Sequence, residues 1–111
     1  MAAKANIVID QGADFSTTIT VTDASGSVTN LTGYTARGQI RKHYTSTTAV
    51  SFSFTFGAPR TEGKLTLSLS NTQTANMAAG RYVYDVELIS AANAVSRLVE
   101  GIATVTPEVT R

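Results

Sequence analysis

GRYVYDVELI, residues 80–89, sets Tyr82, Tyr84, Val86 and Leu88 on one parity and Val83, Asp85, Glu87 and Ile89 on the other. Successive side chains of a strand point to opposite faces, so this period of two reads as a strand. One face is aromatic and aliphatic and belongs against a core; the other carries two carboxylates at its centre. No spacing in the stretch supports a helix.

The same period extends outward along the chain. Ile7 and Ile9 open a short first strand, and Phe15, Thr17, Ile19 and Val21 alternate with Ser16, Thr18, Thr20 and Thr22 in a second. Asp23-Ala24-Ser25-Gly26-Ser27 supplies residues that turn the chain by local hydrogen bonding or positive φ, so a tight reversal is expected there. In the third strand Tyr34, Ala36, Gly38 and Ile40 share a face, and the small residues among them allow a second sheet to come close. Val50, Phe52, Phe54 and Phe56 form the most apolar strand face, and Leu65, Leu67 and Leu69 mark the next strand after a Gly- and Pro-containing loop.

Residues 70–79 alone look helical, over one to two turns, with Ser70 as N-cap, Gln73 completing a capping box and Gly80 as the stop. The last strand runs through Arg97, Leu98, Val99, Ile102 and Val105 to Pro107. Apolar residues on both parities around Gly101 predict a bulge at that glycine.

About seven short strands separated by turns define an all-β chain, and residues 1–111 are expected to form one antiparallel sandwich of immunoglobulin-like type. In such folds a helical turn precedes the sixth strand, and a tyrosine near its start bonds back to the corner. Ala78-Ala79-Gly80-Arg81-Tyr82 fits that corner, with Tyr82 as the bonding tyrosine; the alternative is that both tyrosines simply pack inward. Tyr84 is expected to fill the core.

At 111 residues, 42% hydrophobic and only 15% charged, the composition is that of one folded domain. A formal net charge of +1 gives no global field toward nucleic acid or an anionic membrane. No cysteine is present, which removes disulfides, thiolate metal sites and cysteine nucleophiles. The first residues lack the apolar core of a signal peptide, so synthesis and folding in a cytoplasm are expected.

Chemistry finds few reagents. His43 is the single histidine, which excludes a multi-histidine metal site and leaves one loop residue to serve any triad. Asp10, Asp14 and Asp23 lack the spacing of a calcium loop, and Asp23 reads as a turn residue. Asp85 and Glu87 are better explained by cross-strand pairing with Arg37, Arg41 and Arg97 than as an acid and base pair. No enzyme activity and no cofactor are expected.

Arg37, Arg41, Lys42, His43 and Tyr44 form the one local cluster above background, a basic strand end that runs into an aromatic. Cations of this kind can engage phosphate and an exposed ring can stack on a base, but three cations in a near-neutral chain favour a solvated, paired strand face. The cluster is retained as a candidate interaction surface.

Several blocks carry a resemblance. Ile9-Asp10-Gln11-Gly12-Ala13-Asp14-Phe15, then Leu31-Thr32-Gly33-Tyr34 through Arg41, then Gly80-Arg81-Tyr82-Val83-Tyr84-Asp85-Val86-Glu87-Leu88, and finally Glu100-Gly101 with residues 105–111, resemble a family of small virion proteins of tailed bacteriophages. The pattern is similar to the immunoglobulin-like module of phage upper-baseplate proteins and to cyanophage structural proteins. The resemblance implies a non-enzymatic tail or baseplate component located in the virion, with other virion proteins as partners. Its alternatives are a decoration protein on the capsid exterior or a carbohydrate-binding module at the host surface. Nucleic acid, membrane and small-molecule substrates are not expected as partners.

Sandwiches leave edge strands, which natural proteins blunt with charge, proline or bulges. The first strand, with Ile7 and Ile9, and the phenylalanine strand, with Phe52 and Phe54, carry no such guard. Self-association into a homo-oligomer, or docking on a partner, is expected through one of them, over an interface of at least ~1,000 Å².

Overall fold

In the computed structural model the chain is described over residues 3–23 and 25–109. Ala24 of the expected reversal, and Thr110 and Arg111 of the closing stretch, lie outside the described residues. The strands are β1 (Ala3–Lys4), β2 (Ile7–Asp10), β3 (Phe15–Thr20), β4 (Thr35–Arg41), β5 (Val50–Ser51), β6 (Ser53–Phe56), β7 (Lys64–Leu69), β8 (Gly80–Ile89) and β9 (Val95–Thr106). A 3-10 turn spans Arg60–Glu62 and one short helix, α1, spans Asn71–Ala75.

The strands form two sheets, one ordered β1-β9-β8-β4-β5 with β2 also on β9, the other β3-β7-β6. This is an all-β, immunoglobulin-like sandwich, as the alternation predicts. Between the sheets lie Ile9, Ile40, Tyr84, Val86, Leu88, Val99, Ala103 and Val105 from the first and Leu65, Leu67 and Leu69 from the second, all buried. These are the inward parities of the strands, so the hydrophobic pattern alone fixes which face meets which.

Four details differ from the sequence expectation. The first strand is parallel to the last: β1 and β2 both pair β9 in the same register, Ala3 to Val99 and Ile7 to Ala103. An alternating pattern specifies a strand and its buried face but not the direction of its neighbour. The phenylalanine strand is in fact two, because β5 pairs β4 in one sheet and β6 pairs β7 in the other. Phe52 lies at the switch, its N–H still bonded to the Gly38 carbonyl at 3.1 Å and its ring packed against Phe15, Phe54 and Tyr84.

The bulge falls at Leu98 rather than Gly101. Val86 faces Val99 and Glu87 faces Arg97, so Leu98 is the extra residue. It lets Leu98 and Val99 both pack toward the core while Arg97 stays outside. Gly101 serves another purpose: a Cβ there would stand 2.0 Å from the Ala5 carbonyl oxygen. The chain kinks between β1 and β2, and only a residue without a side chain lets it pass so close.

The helix within residues 70–79 has the expected length of one to two turns and ends at Ala75. The predicted capping box is present, with the Gln73 N–H bonded to Ser70 Oγ at 3.2 Å and the Ser70 N–H to Gln73 Oε1 at 2.9 Å. Gly80 does not stop the helix but opens β8. The 23–27 reversal closes around Asp23, whose carboxylate accepts the Ser25 and Ser27 N–H groups at 3.0 Å each. The Ser25 hydroxyl and these backbone donors hold its pKa below the ordinary value.

Candidate binding cleft

The outward face of the larger sheet is a lattice of charge. Register places Arg37, Glu87 and Arg97 in one cross-strand row and Gln39, Asp85, Glu100 and Lys4 in the next. Arg37 Nε meets Glu87 Oε1 at 2.6 Å, and Arg97 bridges Asp85 at 3.5 Å and Glu100 at 3.2 Å. Lys4 reaches Glu100 at 3.6 Å. The acidic centre of β8 is thereby neutralised by neighbouring strands, and the two carboxylates have no separate environments of the kind acid and base catalysis needs.

The basic cluster does not stay together. Arg37 is engaged with Glu87, while Arg41 stands opposite Val83 and donates instead to the Ser46 carbonyl and to Gln39 Oε1, the latter at 2.8 Å. The pairing of Arg41 with Asp85 or Glu87 is therefore corrected: a strand residue meets its register partner, and four positions of β4 separate Arg41 from Arg37. Lys42 turns to the other side and sets its ammonium 4.7 Å from the centre of the Tyr82 ring. His43 lies in an exposed turn, its N–H bonded to Ser46 Oγ at 3.0 Å. Tyr44 remains a lone aromatic, 83% exposed.

Both tyrosines of β8 have structural posts. The Tyr82 hydroxyl donates to the Ala78 carbonyl at 2.7 Å, the corner bond the sequence predicts. Tyr84 is buried and its hydroxyl donates to the Ala5 carbonyl at 2.6 Å, at the kink between β1 and β2. The Asn6 side-chain oxygen takes the Ile102 N–H at 3.1 Å. One side-chain hydroxyl and one amide oxygen thus satisfy the backbone where the first strand is interrupted. Burial raises the Tyr84 pKa.

The two lateral openings between the sheets differ. On one side the chain itself crosses at Phe52, and Phe54 packs down over Gly38, where a Cβ would lie 3.0 Å from the ring. On the other side no strand crosses, and a cleft of about 670 Å³ opens between β3 and the β1–β2 edge. Ile19, Val21, Tyr34, Leu67, Leu88 and Leu98 line it, with Thr17, Thr20 and Asn6 among its polar groups. Its volume lies in the range of ligand-binding clefts, roughly 300–1,000 Å³, and its lining is of the same apolar kind.

Along this cleft runs an open edge. Among the described residues β3 pairs only with β7, leaving its other side without a strand. Phe15, Thr17 and Ile19 point inward yet are only half covered. Edge residues of a closed sandwich would be buried by a neighbour.

Ile7 and Ile9 do lie on an edge strand of the larger sheet, and Phe54 on an edge strand of the smaller one. Phe52 belongs to the core, 6% exposed. Sequence reasoning named these edges and passed over β3. The signal was there in FSTTIT, six residues without charge or proline whose inward parity includes a threonine.

The chain matches no known family model and no curated protein. Among solved structures it is similar to CopC from Methylosinus trichosporium OB3b, at 15% identity over 99% of this chain and 90% of that one, with a TM-score of 0.50. At that identity the likeness establishes an immunoglobulin-like sandwich and no activity.

These findings correct the phage reading. No phage protein supports it, and the likeness that emerges is to a bacterial protein rather than to a virion component. The tail and baseplate role, the decoration and host-surface alternatives and the virion location all fall with it. The blocks that carried the resemblance are the turns and strands of the fold: 9–15 is the end of β2 and its turn, 31–41 is β4 and its approach, and 80–88 is β8.

Among the described residues no group of three or more His, Cys, Asp or Glu side chains is placed to hold a metal ion. Nor, among the described residues, is any helix long and apolar enough to cross a membrane.

Proposed function

We propose that this domain is a non-enzymatic binding module that accepts an extended polypeptide strand along β3, over the cleft. The single observation that carries this reading is the coincidence of an unpaired strand edge with an apolar opening directly beneath it. Each feature alone is ordinary. Together they supply the two elements of strand addition: backbone N–H and C=O groups for affinity and an apolar recess for alternate side chains.

An incoming strand bonded to β3 directs every second side chain toward Ile19, Leu67 and Leu98, and the others toward solvent beside Ser16 and Thr18. The edge itself carries no charge, so it repels no partner, and the threonine hydroxyls at its rim tolerate polar neighbours. The salt-bridged outer face of the larger sheet is internally neutralised and stands apart from this role.

Titration with a synthetic peptide of alternating valine and threonine, followed by hydrogen exchange, tests the proposal. Saturable binding that slows exchange within residues 15–20 is expected, and a scrambled peptide with clustered valines should bind less. Absence of binding at millimolar peptide, or protection located only on β5 or β6, would overturn it.

A further inference from the structure

The edge that accepts a strand also fits its own copy. Resting on the strand-accepting reading of β3, we propose that the partner is a second copy of this chain, joined β3 to β3 in antiparallel fashion across a two-fold axis through Thr17, so that the sheets continue from one sandwich into the next.

A two-fold axis perpendicular to a sheet sets residues of equal parity opposite one another, because the inward faces of both copies must stay on the same side. With Thr17 on the axis, Phe15 faces Ile19 of the second copy, and Ser16 faces Thr18 of the second copy. The inward row then reads Phe–Ile, Thr–Thr, Ile–Phe. Aromatic with β-branched and threonine with threonine are favourable cross-strand combinations. The same preference is visible within the chain, where the hydroxyls of Thr18 and Thr66 lie 2.9 Å apart.

Charge singles out this edge from the others. Two-fold pairing sets each residue opposite the one equidistant from the axis, so an edge meets its own copy without desolvating or mismatching charges only where it carries no ionised side chain. Over Phe15–Thr20 there is none. The β1–β2 edge carries Lys4 and Asp10, β5 has only two residues, and β6 only four. The six residues of β3 are the longest uncharged free edge among the described residues, and they border the apolar cleft.

The half-covered Phe15, Thr17 and Ile19 have the exposure such a contact would remove. Each cleft is left open at its β3 lip in the single chain, and the second copy supplies the missing strand. One strand pair with its flanks is at the small end of specific interfaces, so the dimer should form and dissociate with concentration.

Sedimentation equilibrium over a wide concentration range, on the full chain and two charge variants, decides the matter. Ser16→Lys with Thr18→Lys sets lysines opposite lysines across the axis; Ser16→Glu with Thr18→Glu does the same with carboxylates. Both positions face solvent, and circular dichroism checks that each variant folds. The wild-type chain should dimerise, each variant alone should associate at least ~10-fold more weakly, and an equimolar mixture of the two should regain the dimer.

A wild-type chain that stays monomeric at millimolar concentration overturns the second copy as partner. So does a dimer that both variants leave intact, since the contact must then lie elsewhere. The valine–threonine peptide titration tests strand acceptance separately: binding of that peptide by a monomeric chain removes only the inference about the second copy.

Discussion

The two lateral openings of the sandwich close by different means. On the Phe52 side the backbone itself passes from the larger sheet to the smaller, pinned by the bond to the Gly38 carbonyl, and the rings of Phe15, Phe54 and Tyr84 gather around the crossing. On the β3 side the first strand has gone over to β9, and the chain passes between the sheets only in the connections at 11–14 and 21–34, beyond the ends of β3. A covalent crossing seals a sandwich; a strand committed to one sheet leaves the other sheet an edge. The same choice that makes β1 and β2 parallel partners of β9 opens the cleft.

If this contrast is right, truncations on the two sides should differ most of all in stability. Phe52→Ala removes a buried ring at the crossing and is expected to cost about 3–5 kcal/mol. Ile19→Ala on the open side removes a half-covered side chain and should cost about 1–2 kcal/mol, since part of its surface is already wet. Urea unfolding of both variants checks the order. Equal losses would mean that the open side is packed as tightly as the closed one.

Tyr84→Phe sharpens the comparison at the kink that diverts the first strand. The loss of its bond to Ala5 should cost about 1 kcal/mol and quicken exchange in residues 3–6, with β3 unaffected. The hydroxyl is also a titrating group. Its pKa is raised in the folded chain, so its contribution is complete below the unfolded value near 10.0 and is lost as pH rises through the folded value. Wild-type stability should therefore decline in strong alkali, and the Tyr84→Phe variant should show less of that decline. Identical alkaline profiles would sever the link between this tyrosine and the first strand.

The smallest effect belongs to the outer face. A double-mutant cycle on Arg37 and Glu87 should return a coupling of about 0.2–1 kcal/mol, because the pair is direct but its arginine is well exposed. Arg41 with Glu87 should couple by nothing measurable. A large coupling there would show that the face rearranges in solution.

How much of this was legible depends on the range of the interaction. Local grammar was readable: the Ser70–Gln73 box, the Asp23 turn and the Tyr82 corner are all set by residues within four positions of one another. Burial parity was readable too, since Tyr84, Val86 and Leu88 have one inside whatever their neighbours are. Pairing was not. Nothing in Ile7 or Ile9 states that their neighbour is β9 and parallel, and nothing in VSFSF marks the residue at which the strand changes sheets.

The site suffered from the same blindness. Whether β3 is an edge depends on where a strand far from it pairs, so the uncharged run of FSTTIT could be recognised as a strand but not as an open one. The phage resemblance failed for a related reason, because the blocks that carried it are turns and strands of the fold.

Hydrogen exchange within Phe15–Thr20, compared with Ser53–Phe56 as protein concentration rises, tests the central claim most directly. The account predicts that β3 amides become steadily better protected while those of β6, the opposite edge of the same sheet, stay unchanged, and that the valine–threonine peptide protects β3 at low protein concentration. Uniform exchange at both edges, indifferent to concentration and peptide alike, would contradict it.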